Sequence, residues 1–247
     1  MSLYHSTSNS ADLPPGRVVG GYEVNPKFKY PWMVSLQNKG VHSCGGSLLN
    51  GNTVISAAHC IGGDDSDWTA AVHRHDLSKA ASVENGKVYK VIKRIPHPLY
   101  NSQTVSNDAA IWKLDNPDHS PTGLLLDDGK YSNKDNTLLK VIGWGTTSSG
   151  GTVSNILLEV KVPVFNANNC KKTAYNGMNI TSQFCAGYPE GGKDSCQDDS
   201  GGPIFIEENG SPLLVGIVSW GEGCALKGKP GVYTRTSVIR DFIKQNL

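Results

Sequence analysis

From Val18 onward the sequence is cut into short apolar segments by Gly, Asn and Pro. Met33 to Leu36, Ser47 to Leu49, Val54 to Ser56, Val88 to Ile92 and Ala109 to Leu114 are the first of these. Leu138 to Ile142, Leu157 to Val162, Ile204 to Ile206, Leu213 to Ser219 and Val232 to Thr234 continue the series. Segments this short, bounded by turn residues, read as strands and not as helices. One stretch differs. Val238, Ile239, Phe242 and Ile243 share a face at helical spacing from about Ser237 to Asn246. The pattern therefore predicts an all-β chain closed by one terminal helix. Its 247 residues suit one large domain or two small ones, with ample core.

Charge and hydropathy narrow the function. Lys and Arg number 23, Asp and Glu 22, so the net charge of +1 gives no footprint for a nucleic acid. No apolar run approaches the ~20 residues of a membrane-spanning helix. Residues 1–17 are small, polar and Pro-rich and read as an unstructured tail; Met1 to Ser10 lacks the apolar core of a signal peptide. Six cysteines stand at 44, 60, 170, 185, 196 and 224, an even count compatible with three disulfides. Spacing alone leaves about 15 pairings open. Two acceptor motifs for N-linked glycans occur at Asn179 and Asn209.

Chemistry concentrates in three places. Asp194-Ser195-Cys196-Gln197-Asp198-Asp199-Ser200-Gly201-Gly202-Pro203 sets a serine between acids and two glycines, just before an apolar strand. Glycines let a backbone approach a substrate carbonyl closely. A serine there becomes a nucleophile when a base reaches it. Upstream lie Ser56-Ala57-Ala58-His59-Cys60 and Asn107-Asp108-Ala109-Ala110-Ile111. A His, an Asp and a Ser in that order, each in its own local pattern, resemble the trypsin-like serine proteases of the chymotrypsin family.

The resemblance runs from Val18 to Leu247. It implies two six-stranded antiparallel β-barrels with the active site in the cleft between them, followed by a C-terminal α-helix. The polar stretch from Asn116 to Asn136 then marks the crossover. Residues 1–17 become an activation peptide, 18–121 the first barrel, and 122–247 the second barrel with its helix, together one peptidase domain. The implied pairings are Cys44–Cys60, Cys170–Cys185 and Cys196–Cys224. Three bridges imply an oxidising compartment and hence secretion.

Residue by residue, the resemblance makes Ser200 the nucleophile, His59 the general base and Asp108 its orienting carboxylate. The backbone N–H groups of Asp198 and Ser200 form the oxyanion hole. Position 198 departs from the family, which usually carries Gly there. Asp194 sits at the floor of the S1 pocket, with Ser195 beside it, Gln197 at the rim, and Ser219, Trp220, Gly221 and Gly231 as walls. An acid below an apolar shaft suits Arg or Lys. Val105 borders S2. Cleavage after Arg17 would free the Val18 amine to pair with Asp199. The expected product is a secreted zymogen of a serine endopeptidase, a monomer acting on proteins and peptides and open to protein inhibitors. No cofactor or metal is expected. The alternative is a weakened homologue that binds proteins through the cleft, and Asp198 is its only support.

Other polar features read as structural. His73 and His75 are i, i+2 and read as a solvent-exposed pair. Arg74 stands where calcium-binding relatives use an acid, which argues against calcium. Asp64, Asp65 and Asp67 read as a solvated acidic face.

Overall fold

The structure is a computed structural model that describes residues 20–146, 151–192 and 199–247. Arg17, Val18, Asp194, Ser195, Cys196, Gln197 and Asp198 lie outside these residues.

Strands β1 (Tyr22–Glu23), β2 (Met33–Asn38), β3 (Val41–Asn50), β4 (Thr53–Ser56), β5 (Trp68–Val72), β6 (Lys87–Pro96) and β7 (Ala110–Leu114) form the first half. β2-β3-β4-β7-β6-β5 close into an antiparallel barrel. The second half holds β8 (Leu125–Leu126), β9 (Leu138–Gly143), β10 (Leu158–Phe165), β11 (Gln183–Ala186), β12 (Pro203–Glu208), β13 (Ser211–Trp220) and β14 (Gly231–Arg235). Six of these close a second barrel in the order β9-β10-β11-β14-β13-β12, the ring completed by pairing of β9 with both β10 and β12. Two short strands are added to it. β1 pairs with β10, and β8 runs parallel to β13. Closure leaves few free edges for mispairing.

The apolar segments of the sequence map onto these strands, most of which extend past them at one end or both, while Ala109 and Leu157 fall one residue before β7 and β10. Polar residues alternate outward, so apolar runs understate strand length. β5 and β11 were not among the segments. β5 reads Trp68-Thr69-Ala70-Ala71-Val72, and β11 is four residues opened by a buried glutamine, Gln183. Small and polar residues hid both.

A single apolar cluster links the barrels. Phe205 of β12 meets Tyr30 and Trp32 edge-on, with ring centroids 5.1 and 5.6 Å apart. Such pairs contribute about 0.5–1.5 kcal/mol each beyond area burial. The helix α2 (Thr236–Gln245) follows β14; a shorter one, α1 (Ala167–Asn169), precedes a π-turn at Cys170–Ala174. Ile239 and Ile243 of α2 are fully buried, and Phe242 packs on His97 of the first half at 4.8 Å. Burial pushes the His97 imidazole below its usual range. Val238 is 43% exposed, so the buried face is narrower than the four apolar residues suggest.

Two disulfides are in place, Cys44–Cys60 and Cys170–Cys185. Cys224 is buried and disulfide-bonded as well, and the remaining cysteine, Cys196, is outside the described residues. The histidine pair does not behave as one. His73 is exposed with φ 54°, while His75 is fully buried and bonded through Nε2 to Glu23 Oε1 at 2.8 Å. β5 ends at Val72, so no strand carries the two side chains to a common face. Arg74 is buried too, and its Nε donates to Glu84 Oε2 at 2.9 Å. Among the described residues no cluster of three or more His, Cys, Asp or Glu could hold a metal ion.

Candidate active site

β4 ends at Ser56, and the chain turns at once into a single 3-10 turn, Ala58–Cys60. The disulfide from Cys60 to Cys44 ties this turn to β3. His59 therefore projects from a pinned loop, with about a third of its side chain exposed.

Asp108 lies one residue before Ala109 and two before β7, and is fully buried. A buried carboxylate is costly unless its oxygens are all engaged. They are. Oδ1 accepts from the His59 backbone N–H at 2.9 Å. Oδ2 lies 2.7 Å from His59 Nδ1 and accepts from Ser219 Oγ at 2.6 Å. Its backbone carbonyl accepts from Thr234 Oγ1 at 3.0 Å. A carboxylate facing Nδ1 selects the tautomer with the proton there, which leaves Nε2 as a free base. Ser219 and Thr234 both come from the second barrel, on β13 and β14.

Ser200 arrives from the second barrel, three residues before β12. Its carbonyl accepts from Gly45 N–H at 2.8 Å and lies 3.8 Å from Cys60 Sγ, beside His59. The fit is close because the next two residues have no side chain. Gly201 has φ 80°, and a Cβ there would stand 2.0 Å from Ser56 Oγ. A Cβ on Gly45 would stand 2.9 Å from the Gly202 Cα. These glycines let the serine turn dock against β3 and β4. The Ser200 hydroxyl makes no hydrogen bond among the described residues, and such contacts commonly tighten only when substrate binds.

Asp199 is buried to 1% exposure. Oδ1 accepts from Gly145 N–H at 2.8 Å, and the carboxylate fills space that any Cβ on Gly143 or Gly145 would need. Trp220 meets Tyr175 edge-on at 4.7 Å. Tyr175 Oη donates to Pro230 O at 2.9 Å. A Cβ on Gly221 would lie 3.9 Å from the Gly231 Cα, in ordinary contact, so any longer side chain at 221 would project into the gap between these two segments. Val105 is half-buried on the loop that leads to Asp108.

The structure thus brings together His59, Asp108 and the Ser200 turn, and sets Ser219 and Trp220 at the end of β13, Gly221 just beyond it, and Gly231 at the start of the neighbouring β14. Ser219, expected as a pocket wall, turns its hydroxyl onto Asp108. Thr234 and Gln183 carry no motif, and sequence reading missed both. Their only signal was polarity inside otherwise apolar strands.

A family model described as Trypsin matches residues 18–243. Serine protease 56 of Mus musculus is 36% identical over 240 residues, covering 94% of this chain and 39% of that protein. The Homo sapiens protein of the same name is 34% identical with the same coverage. The Suppressor of tumorigenicity 14 protein homolog of Bos taurus is 40% identical over 246 residues, or 94% of this chain and 28% of that protein. The chain thus spans well under half the length of these relatives. The match across nearly all of the peptidase region, on a double barrel that joins His59, Asp108 and the Ser200 turn, places this chain in the trypsin family of serine proteases.

Proposed function

We propose that this chain is a secreted serine endopeptidase, made as a zymogen, that cleaves after Arg and Lys through an acyl-enzyme. The observation that carries the reading is the buried Asp108 bonded to His59 beside the Ser200 turn. His59 Nε2 takes the Ser200 proton as Oγ attacks the scissile carbonyl, and returns it to the leaving amine. Asp108 holds the ring and stabilises the imidazolium without taking its proton. The N–H groups of Asp198 and Ser200 receive the negative oxygen. Water then repeats the cycle on the acyl-enzyme.

Asp194 at the base of S1, with Gly221 and Gly231 leaving the shaft open, supports Arg/Lys selectivity. A neutral residue would leave Asp194 desolvated without a partner. Ser195 and Gln197 complete the wall and rim, and Val105 borders S2. Arg17 meets the same rule, so the zymogen can cut itself and free the Val18 amine for Asp199. The burial of Asp199 supports this switch, since an amine beside a carboxylate at that depth would offset part of its desolvation.

Asp198 is a tuning element. A carboxylate ~6 Å from the oxyanion opposes it by roughly 0.7–3 kcal/mol at an effective dielectric of ~20–80. Acylation slows by about 3- to 100-fold. Rigid protein inhibitors that pack on the leaving-group side meet the same charge. A weakened, protein-binding homologue is the second reading, and Asp198 is what favours it. The products from a mixed peptide pool test the proposal. Cleavage confined to Arg and Lys, and lost in Asp194→Ser, is expected. Full-rate Arg/Lys cleavage by that variant would show that S1 is assigned wrongly.

A further inference from the structure

The loop between β6 and β7 carries Val105, then Ser106 and Asn107, and delivers Asp108. Val105 has φ 52° and Asn107 has φ 52°. Asn visits this left-handed region readily, but a β-branched residue there is a true outlier. Such a conformation persists only where the surroundings over-determine it, and it concentrates at functional sites. Within the loop, Asn101 N–H donates to Ser106 O at 3.1 Å, and Asn107 Nδ2 donates to Leu99 O at 3.0 Å.

Further restraints come from the other barrel. Gln183 opens β11 and is fully buried. Its Nε2 donates to Val105 O at 2.9 Å, and its Oε1 accepts from Asn179 N–H at 3.2 Å. Gln183 pairs with Thr234 in the register of β11 and β14. Thr234 is the residue whose hydroxyl reaches Asp108 O. Two cross-strand neighbours of the second barrel therefore hold the two ends of one tetrapeptide of the first. Asn179 Nδ2 adds a 3.3 Å contact to Ser106 Oγ.

We infer that Gln183 is a positioning residue that holds Val105 in its strained conformation and so sets selectivity for the substrate residue at P2. The inference rests on the reading of Val105 as the S2 border. Asp108 keeps its bonds to His59, Ser219 and Thr234 when Gln183 is lost, so the effect falls on recognition more than on chemistry.

Gln183→Met keeps side-chain length and removes both hydrogen bonds. The assay is kcat/KM on paired substrates with Arg at P1 and either Gly or a bulky residue at P2. The ratio between the pair should shift about tenfold, carried mainly by KM. Turnover of the P2-Gly substrate should change less than about threefold. Equal losses on both substrates, or an unchanged ratio, would overturn the inference. Val105→Gly removes the strain, because Gly carries no steric cost at this φ. In that background Gln183→Met should move the ratio by less than about twofold; a persistent tenfold shift would show that Gln183 does not act through Val105. Hydrogen exchange at the Asn101 amide needs no substrate. It should accelerate in Gln183→Met, and unchanged exchange contradicts the clasp even if the chain proved inactive. Absence of an acyl-enzyme burst in the parent would instead count against the enzyme reading alone.

Discussion

Asp108 and Glu84 are both buried carboxylates that face a basic side chain, and on the proposed reading they serve different ends. Asp108 faces His59, and Glu84 faces Arg74. Both carboxylates also accept backbone N–H bonds, Asp108 from His59 and Glu84 from His75 and Asp76. The difference lies in the basic partner. The Arg74 side chain is 4% exposed, and its Nη2 is held by the Asp76 and Lys79 carbonyls. A guanidinium never gives up its proton at ordinary pH, so this pair can only hold a loop together. His59 is 32% exposed on its side chain, and an imidazole, unlike a guanidinium, can serve as a proton acceptor. On the proposed reading, a buried carboxylate paired with a basic side chain is structural or catalytic according to whether that base can accept a proton and reach substrate.

The comparison breaks first at Asp108. Asp108→Asn keeps the shape and reverses the hydrogen bond at His59 Nδ1, forcing the wrong tautomer. kcat should fall by about 10⁴-fold with little change in Tm. A drop under tenfold would remove Asp108 from the mechanism.

Arg74→Met should do the opposite. It leaves Glu84 buried without its cation, a loss of about 3–5 kcal/mol. At about 2–4 °C per kcal/mol for a chain of this size, Tm should fall by roughly 6–20 °C. kcat measured well below that Tm should stay within about twofold. Lost turnover with an unchanged Tm would mean that the two pairs have been given each other's roles.

Ser219→Ala tests the second-barrel support of Asp108. A hydrogen bond to a charged group is worth about 1.5–3 kcal/mol, so kcat should fall by about 10- to 150-fold. No change would mean that His59 alone orients the carboxylate.

Acid sharpens the contrast further. Burial by itself would raise the Glu84 carboxyl, but Arg74 and the two backbone donors outweigh it and hold the group below its usual range. A depressed folded-state value means that its stabilisation is complete above the ordinary carboxylate range. It is lost as pH falls through the lowered value. Glu84→Gln should therefore flatten the acid limb of stability against pH while lowering stability at neutrality. A limb as steep as in the parent would contradict this. Calcium completes the series, with an effect near zero. Arg74 occupies the loop as a fixed cation, so a chelator should leave Tm within about 1 °C, whereas a site that held calcium would lose its share of binding energy.

The candidate catalytic residues were legible in the sequence because close backbone approach demands Gly201 and Gly202, and a disulfide clamp puts Cys60 beside His59. The double barrel came through resemblance, and the all-β character through short turn-bounded runs. β5 and β11 were hidden because Ala, Thr and Gln give no alternation to read. His75 was misread as exposed because its burial depends on Glu23 and Phe28, both distant in sequence. Gln183 and Thr234 were invisible for a related reason: their partners, Val105 and Asp108, belong to the other barrel.

The most direct measurement is covalent labelling of Ser200, the proposed nucleophile. The chain is cleaved after Arg17, treated with an arginine-like active-site acylating agent, and read by intact mass and peptide mapping. One adduct per chain is predicted, on Ser200, with a burst of matching amplitude that disappears in His59→Ala. The uncleaved chain should label far more slowly. A folded, cleaved chain that takes no label, or takes it on another residue, would contradict the assignment of Ser200, His59 and Asp108 as one catalytic unit.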